Sequence, residues 1–249
     1  MSTELELERL GQSLEGWPPH EVMMWGVDKF PRMTFATGFG VEGCCLIDMI
    51  GRYKLPIDLF TLDTGLLFPE TYTLWKRLED KYHVTIRAVK PELTVEQQAE
   101  VHGDKLWERT PDKCCEMRKV LPLRAALKPF EAWITAIRRD QTLDRANASI
   151  VERDRKFGLV KVNPLVSWTT RDVWTYVHEH DVPYNPLHDQ NYPSIGCWPC
   201  TSPVMPGEDP RAGRWRGKEK KECGLHNLPV RTANVTSSER TKSENVKAG

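Results

Sequence analysis

The chain has 249 residues, with 35 Lys+Arg against 35 Asp+Glu, 39% hydrophobic residues, nine Trp and seven Cys. This is the size of one large domain, or of one domain with appendages, and its apolar share supports a core, which excludes global disorder. Zero net charge argues against non-specific nucleic-acid binding, which needs a cationic excess, and no run reaches the roughly 18 apolar residues of a membrane span.

Met1–Leu14 is charged throughout and lacks the apolar stretch of a secretory signal. The expected address is therefore cytoplasmic, where thiols stay reduced, so the cysteines need some explanation other than a disulfide framework. Leu5, Leu7, Leu10 and Leu14, set among Glu and Arg, predict one or two short amphipathic helices in an N-terminal segment, residues 1–30. After Pro31 the chain alternates. A strand at Met33–Thr37 leads through a Gly-punctuated turn to an apolar helix, Val41–Tyr53. A second strand, Ile57–Leu62, leads through Asp63-Thr64-Gly65 to a helix over Pro69–Tyr82, with Pro69 at a favoured first-turn position. Then come a strand at Val84–Val89, a short helix at Val95–His102, and a helix at Cys115–Leu127 interrupted near Pro122. Strands at Ala132–Ile137 and Leu159–Val162 follow, then a helix at Thr170–Glu179 capped by Thr169 or Thr170.

This alternation predicts an α/β fold: a twisted, mostly parallel sheet with helices on both faces, formed by residues 31–205. Ligands of such sheets bind beyond the carboxyl ends of the strands. Three segments distant in sequence, Thr37–Glu42, Asp63–Gly65 and Arg138–Asp140, are thereby expected at one edge. From Pro183 to Pro210 the chain holds seven of its 18 prolines, so regular structure there is sparse. Residues 206–228 read as a basic, mobile arm, and 229–249, rich in Ser, Thr, Asn and Lys, as a disordered tail.

Four of the cysteines form two close pairs, Cys114-Cys115 and Cys197-Trp198-Pro199-Cys200. A thioredoxin-type Cys-x-x-Cys would open a helix after an early strand, whereas this one lies late, among prolines. Structural zinc favours knuckles with two to four residues between ligands, which an adjacent pair does not provide. A [4Fe–4S] cluster with separated iron atoms relaxes that demand. The spacing favours the cluster and leaves zinc, or no metal at all, open. Cys223 stands alone beyond a run, Arg211–Glu222, that carries six cations and two anions. Such a field favours thiolate and attracts anions, although a basic run is more often a solvated face. His226 is either a further polar group beside Cys223 or an exposed bystander. Cys44 and Cys45, inside an apolar helix, read as core thiols.

Five motifs occur in order: Leu62-Asp63-Thr64-Gly65 with Glu70-Thr71-Tyr72, Cys114-Cys115-Glu116-Met117-Arg118-Lys119, Ile137-Arg138-Arg139-Asp140-Gln141, Cys197-Trp198-Pro199-Cys200 and Glu222-Cys223-Gly224-Leu225-His226. Together they resemble the assimilatory adenylyl-sulfate (APS) reductases, relatives of the phosphoadenylyl-sulfate (PAPS) reductases. The resemblance implies an adenine-nucleotide α-hydrolase-like sheet. It also implies a [4Fe–4S] cluster on Cys114, Cys115, Cys197 and Cys200, and APS as substrate, because the PAPS-specific branch lacks both cysteine pairs. Cys223 is then the nucleophile, with thioredoxin or a similar dithiol protein as reductant. Lys119, Arg138 or Arg139, Arg211 and Arg214 are the implied cations for the phosphosulfate. Thr37, Gly38, Gly40 and Glu42 take the place of the family's phosphate-binding loop, and Asp63 and Gly65 shape the nucleotide pocket. The loop departs from the family pattern: Ala36 and Gly38 stand where relatives carry serine, and Gly43 where they carry an acid. Two rival readings remain, a PAPS reductase that retains the cysteine pairs and a non-catalytic, cysteine-rich metal or redox-sensing nucleotide binder. A homo-oligomer is compatible with each reading.

Overall fold

The computed structural model describes residues 3–220 and 222–225. Its strands are β1 (Met33–Thr37), β2 (Asp58–Leu62), β3 (Ile86–Val89), β4 (Ala132–Ile134), β5 (Val151–Asp154) and β6 (Leu159–Val162). They form one sheet in the order β3-β2-β1-β4-β6-β5. All pairings are parallel except that of β5 with β6. Successive side chains of a strand point to opposite faces, and the core divides accordingly. Leu59 and Ile134 belong to one apolar cluster, while their neighbours Phe60 and Trp133 belong to another with Leu123 and Leu127.

The larger cluster is covered by α1 (Glu4–Ser13), α2 (Pro19–Lys29), α3 (Val41–Arg52), α4 (Pro69–Tyr82) and α9 (Thr170–Glu179). On the other face lies α8 (Leu121–Leu127). Short helices α5 (Val95–His102), α6 (Leu106–Arg109) and α7 (Pro111–Cys115) lead into it. The central helix α3 is buried almost all round, Cys44 and Cys45 included, as the run of apolar residues predicts. Both thiols are held protonated: burial raises Cys44, with the charge of Glu42 adding to it, and burial raises Cys45.

Helix α6 has no counterpart in the sequence expectation and the third strand begins at Ile86 rather than Val84; three further points concern the elements around the cavity. The fourth strand ends at Ile134 rather than Ile137: Thr135 still donates its N–H to Val162 O at 2.9 Å and pairs with Asn163 through its side chain, and the chain then leaves the sheet. The interruption of the long helix lies ahead of Pro122, as a π-helical turn over Glu116–Val120. Proline has no N–H to donate to the carbonyl four residues back, and wide turns of this kind are frequent at functional sites. Strand β5 has no counterpart in the sequence reading. Its Val-Glu-Arg-Asp sequence lacks an apolar alternation because it forms an edge, where charge is favoured.

Asp48 is fully buried in α3 and joins it to α9: its carboxylate accepts from Arg52 Nη2 at 3.0 Å and from the Tyr176 hydroxyl at 2.5 Å. Asp48→Ala leaves that hydroxyl without its acceptor. It is expected to lower unfolding stability by about 1–3 kcal/mol, read from the urea midpoint.

Candidate active site

In the sheet order, the chain runs from β1 outward to β3 on one side and from β4 outward on the other. The gap between β1 and β4 is the switch point at which α/β sheets bind ligands. A cavity of about 520 Å³ opens there, lined by residues 35–43 after and within β1, 136–138 after β4, Lys119, Arg145, the 193–197 segment, Arg211, Arg214 and Cys223. That is ordinary for a small-molecule site.

The loop from β1 into α3 is shaped by Thr37, whose hydroxyl accepts from the Phe39 N–H at 3.1 Å. Phe39 lies in the left-handed region (φ 57°), an uncommon conformation for a bulky residue. It is buried and stacked on Trp75. Gly40 caps α3 without a side-chain hydrogen bond, so the first-turn N–H groups of this twelve-residue helix face the cavity edge, an arrangement suited to an anion. A Cβ on Gly38 would meet nothing within 4 Å, whereas one on Gly43 would lie 3.0 Å from Thr37 Oγ1. The inward turn of Thr37 thus accounts for Gly43 but not for Gly38.

Arg138 and Arg139 part company. Arg138 is buried at the cavity wall, pairing with Glu42 Oε1 at 3.0 Å and with Asp140, and donating to Thr170 Oγ1 at 3.2 Å. Arg139 turns away. Its Nε donates to the Ala148 carbonyl at 2.8 Å and its guanidinium grips Glu15, so it ties the N-terminal helical segment to the sheet and lies outside the cavity. Within the Asp63-Thr64-Gly65 turn, Thr64 is the member that lines the cavity. Asp63 accepts from Gly65 N at 3.1 Å and from the Tyr72 hydroxyl at 2.6 Å, and Gly65 supplies the positive φ of 69°. Both shape the wall from behind.

The π-helical turn separates two basic neighbours. Arg118 is buried beneath the turn, donating to Thr64 O at 2.6 Å and Gln98 Oε1 at 3.1 Å; Lys119 lines the cavity. Neither is a solvated helix charge. Burial works against the Lys119 ammonium, but the neighbouring sulfurs of Cys197, Cys223 and Cys115 more than offset it, raising the Lys119 pKa. Cys197 lies near enough to Cys114, Cys115 and Cys200 to add to the rise in their pKa values. Burial pushes Cys115 up to about 12, with Lys119 and Lys220 opposing it, and pushes Cys200 up to about 11. Thr64 Oγ1 and Cys197 Sγ are 3.3 Å apart. All seven cysteines are free thiols. Among the described residues, no group of three or more His, Cys, Asp or Glu is arranged to hold a single metal ion.

The arm is stitched to the Cys197–Cys200 loop. Ser202 N donates to Gly213 O at 2.9 Å and Trp215 N to Cys200 O at 3.0 Å, around a bridge between Thr201 and Arg214. A Cβ on Gly213 would come within 2.0 Å of Ser202 O, so only glycine allows this approach. Arg214 lies along Gly196, where a Cβ would meet its Nη2 at 2.2 Å, and its guanidinium stacks over Trp215. Its Nε is buried without a hydrogen-bond partner, a donor held ready at the cavity wall. Burial lowers the Arg214 pKa, with the charge of Cys223 opposing. His226 and the 229–249 tail lie outside the described residues.

Arg145, Trp174, His188 and Gly196 also line the cavity and escaped the sequence reading. His188 carries a buried Nε2 with no partner, and burial lowers its pKa. Its place in a proline-rich stretch gave no periodic signal. Arg145 follows the Arg138–Gln141 motif closely, and that proximity was the available clue.

The profile described as "Phosphoadenosine phosphosulfate reductase domain" matches residues 32–203. The chain is 50% identical over 207 residues to adenosine 5'-phosphosulfate reductase 1 of Bacillus subtilis (strain 168), covering 82% of this chain and 89% of that protein. It is 44% identical over 227 residues to an adenosine 5'-phosphosulfate reductase of Halalkalibacterium halodurans, covering 90% and 98%. A crystal structure of phosphoadenylyl-sulfate reductase from Candida auris, a phosphate complex, superposes with a TM-score of 0.74 at 34% identity, over 82% of this chain and 98% of that one. Yeast FAD synthetase in complex with FAD, at 12% identity and a TM-score of 0.53 over 82% and 70% of the chains, shares the fold alone. The chain belongs to the phosphoadenosine phosphosulfate reductase family.

Gly196→Ala is expected to displace the Arg214 guanidinium and to weaken AMP binding about tenfold, the scale of a lost charged hydrogen bond. Titration calorimetry of Gly196→Ala, Arg214→Ala and the double variant tests this. If both act through one guanidinium, their effects do not add.

Proposed function

We propose that this protein reduces adenosine 5'-phosphosulfate to sulfite and AMP in sulfate assimilation, with Cys223 as the nucleophile. The observation that carries the reading is the meeting of Cys223 with Lys119, Arg211 and Arg214 in the wall of one cavity at the sheet's switch point. Relatives named adenosine 5'-phosphosulfate reductases, 50% and 44% identical, support it.

The Cys223 thiolate attacks the sulfur of the phosphosulfate: an S–S bond forms, the S–O bond to phosphate breaks, and AMP departs with that electron pair. A thiolate of thioredoxin, or of a similar dithiol protein, then attacks Cys223 Sγ, and sulfite leaves with the electron pair of the S–S bond. The second thiol of the reductant displaces Cys223 and closes a disulfide. The two electrons therefore come from the dithiol. Negative charge gathers on the departing phosphate and the sulfonyl oxygens, where Lys119, Arg211 and Arg214 stabilise it. Arg138, spent on Glu42, Asp140 and Thr170, braces the loops instead. The α3 N-terminus adds backbone donors. The segment carrying Cys223, beyond the stretch hydrogen-bonded to residues 200–202, opens between the two half-reactions to present S-sulfocysteine to the reductant. The setting is the reducing cytoplasm; among the described residues no helix is long and apolar enough to cross a membrane.

Cys114, Cys115, Cys197 and Cys200 are the residues that would hold a [4Fe–4S] cluster. Four free thiols from two segments, within electrostatic reach of one another, match its ligand set. Such a cluster would be held by these four thiolates and would tie their two segments together. A second reading, reduction of the 3'-phosphorylated nucleotide, is favoured by the likeness to the Candida auris enzyme.

Incubation with APS in the absence of reductant is expected to leave a sulfonate adduct on Cys223, seen by peptide mass spectrometry and absent in Cys223→Ser; an unmodified Cys223 overturns the mechanism. Side-by-side turnover is expected to favour APS over PAPS, and a strong reverse preference selects the second reading. Anaerobically purified protein is expected to be brown, with four iron and four sulfide per chain, and colourless protein with stoichiometric zinc would sink the cluster.

A further inference from the structure

The nucleophile is held from both sides by one stretch of chain, residues 145–157, that carries no motif. Arg145 ends a 3₁₀ turn, Leu143–Arg145, just before β5, and is buried with 7% exposure. Its Nη2 donates to both carboxylate oxygens of Glu222, at 3.2 and 3.4 Å. Arg211 Nη2 meets the same carboxylate at 3.1 Å. On the far side of Cys223, Lys156 in the β5–β6 turn donates through Nζ to the Gly224 carbonyl at 2.5 Å, and Leu225 packs into the Phe60–Leu123–Trp133 cluster. The residues before and after Cys223 are thus each fixed, Glu222 by the 3₁₀ turn ahead of β5 and Gly224 by the β5–β6 turn.

The Arg145 grip also reaches the ligand-binding loops. Arg145 Nη1 donates to Gln141 Oε1, and Gln141 Nε2 donates to Glu42 Oε1 at 2.9 Å. Glu42 is the first-turn acid of α3 that pairs with Arg138. A continuous polar chain therefore runs from the loop after β1, across the switch point, to the residue preceding the nucleophile. A buried guanidinium held by two acceptors in fork geometry has few alternative positions, so Glu222 is located relative to the cavity rather than to solvent.

We propose that Arg145 is the positioning residue for Cys223: by gripping Glu222 it holds the nucleophile over the cavity in the closed arm. This goes beyond the reading given above, which assigns Cys223 its chemistry but nothing that aims it. The grip itself does not depend on which nucleotide the cavity takes.

The test is the rate at which iodoacetamide alkylates Cys223 in the full-length, ligand-free protein, resolved at that residue by peptide mass spectrometry. Removing a cation near a thiol slows alkylation by destabilising thiolate, whereas releasing the arm speeds it. Arg145→Met is therefore expected to raise the rate about tenfold, the scale of a lost charged hydrogen bond. Arg145→Lys keeps the charge but loses the fork, is the milder change for folding, and is expected to raise the rate as well. Pairing Arg145→Glu with Glu222→Arg is expected to bring the rate back toward that of the native chain. An unchanged or slower rate in folded Arg145→Lys or Arg145→Met overturns the proposal. Because the assay contains no nucleotide and no reductant, its failure leaves the proposed reaction standing, and failure of the sulfonate-adduct experiment leaves this result standing.

Discussion

The architecture of the site depends on one ion pair across the gap between β1 and β4. Glu42, in the first turn of α3, and Arg138, beyond β4, meet at 3.0 Å with little exposure of either side chain. Parallel strands whose connections run in opposite directions leave an open crevice beyond their carboxyl ends; β1 and β4 are paired through Phe35 and Ile134, and past that register something other than the ladder must set the width. The pair does so. A buried pair of this kind is weak evidence for net stability, since desolvation offsets much of the attraction, but it sets geometry. Asp140 and Thr170 complete the hold on Arg138, and Gln141 shares Glu42. The loop after β1, the loop after β4 and the start of α9 are thereby locked at one edge.

The distribution of charge around that edge gives a chain with no net charge a cavity wall with several cations. Lys119 reaches the cavity from the π-helical turn, and Arg211 and Arg214 from the arm. The compensating acids lie in defined places, Glu222 against Arg211 and Arg145, and Glu208 against Arg216 on the outside. Composition averages these away, so net charge alone does not reveal them.

Legibility in the sequence followed physical cause. Helix α4 begins at Pro69 and α5 at Val95 after a Thr94 capping box, and β6 keeps its expected bounds, because proline placement, caps and apolar runs are local signals. Strand β5 escaped because its stability comes from pairing with β6 rather than from its own pattern. The three-segment edge was legible because it follows from strand polarity alone. The direction of an individual side chain was not: Arg138 and Arg139 are adjacent and chemically equal, and only tertiary partners, Glu42 for one and Glu15 for the other, send them apart. Arg145 was hidden for a similar reason, since its partner Glu222 lies 77 positions away.

The close approach of Gly213 to Ser202 bears on where this protein can be cut. The matched family region ends at residue 203, and a chain trimmed there looks like a complete α/β unit that lacks only Cys223 and its flanks. It would be less than that. Main chain lies directly against main chain between 200 and 215, so trimming also strips the cover from Cys200, the partner of Thr201 and two cations of the cavity wall. A truncated form is therefore a poor stand-in for studying nucleotide binding, and Cys223→Ser in the intact chain separates binding from chemistry where deletion does not.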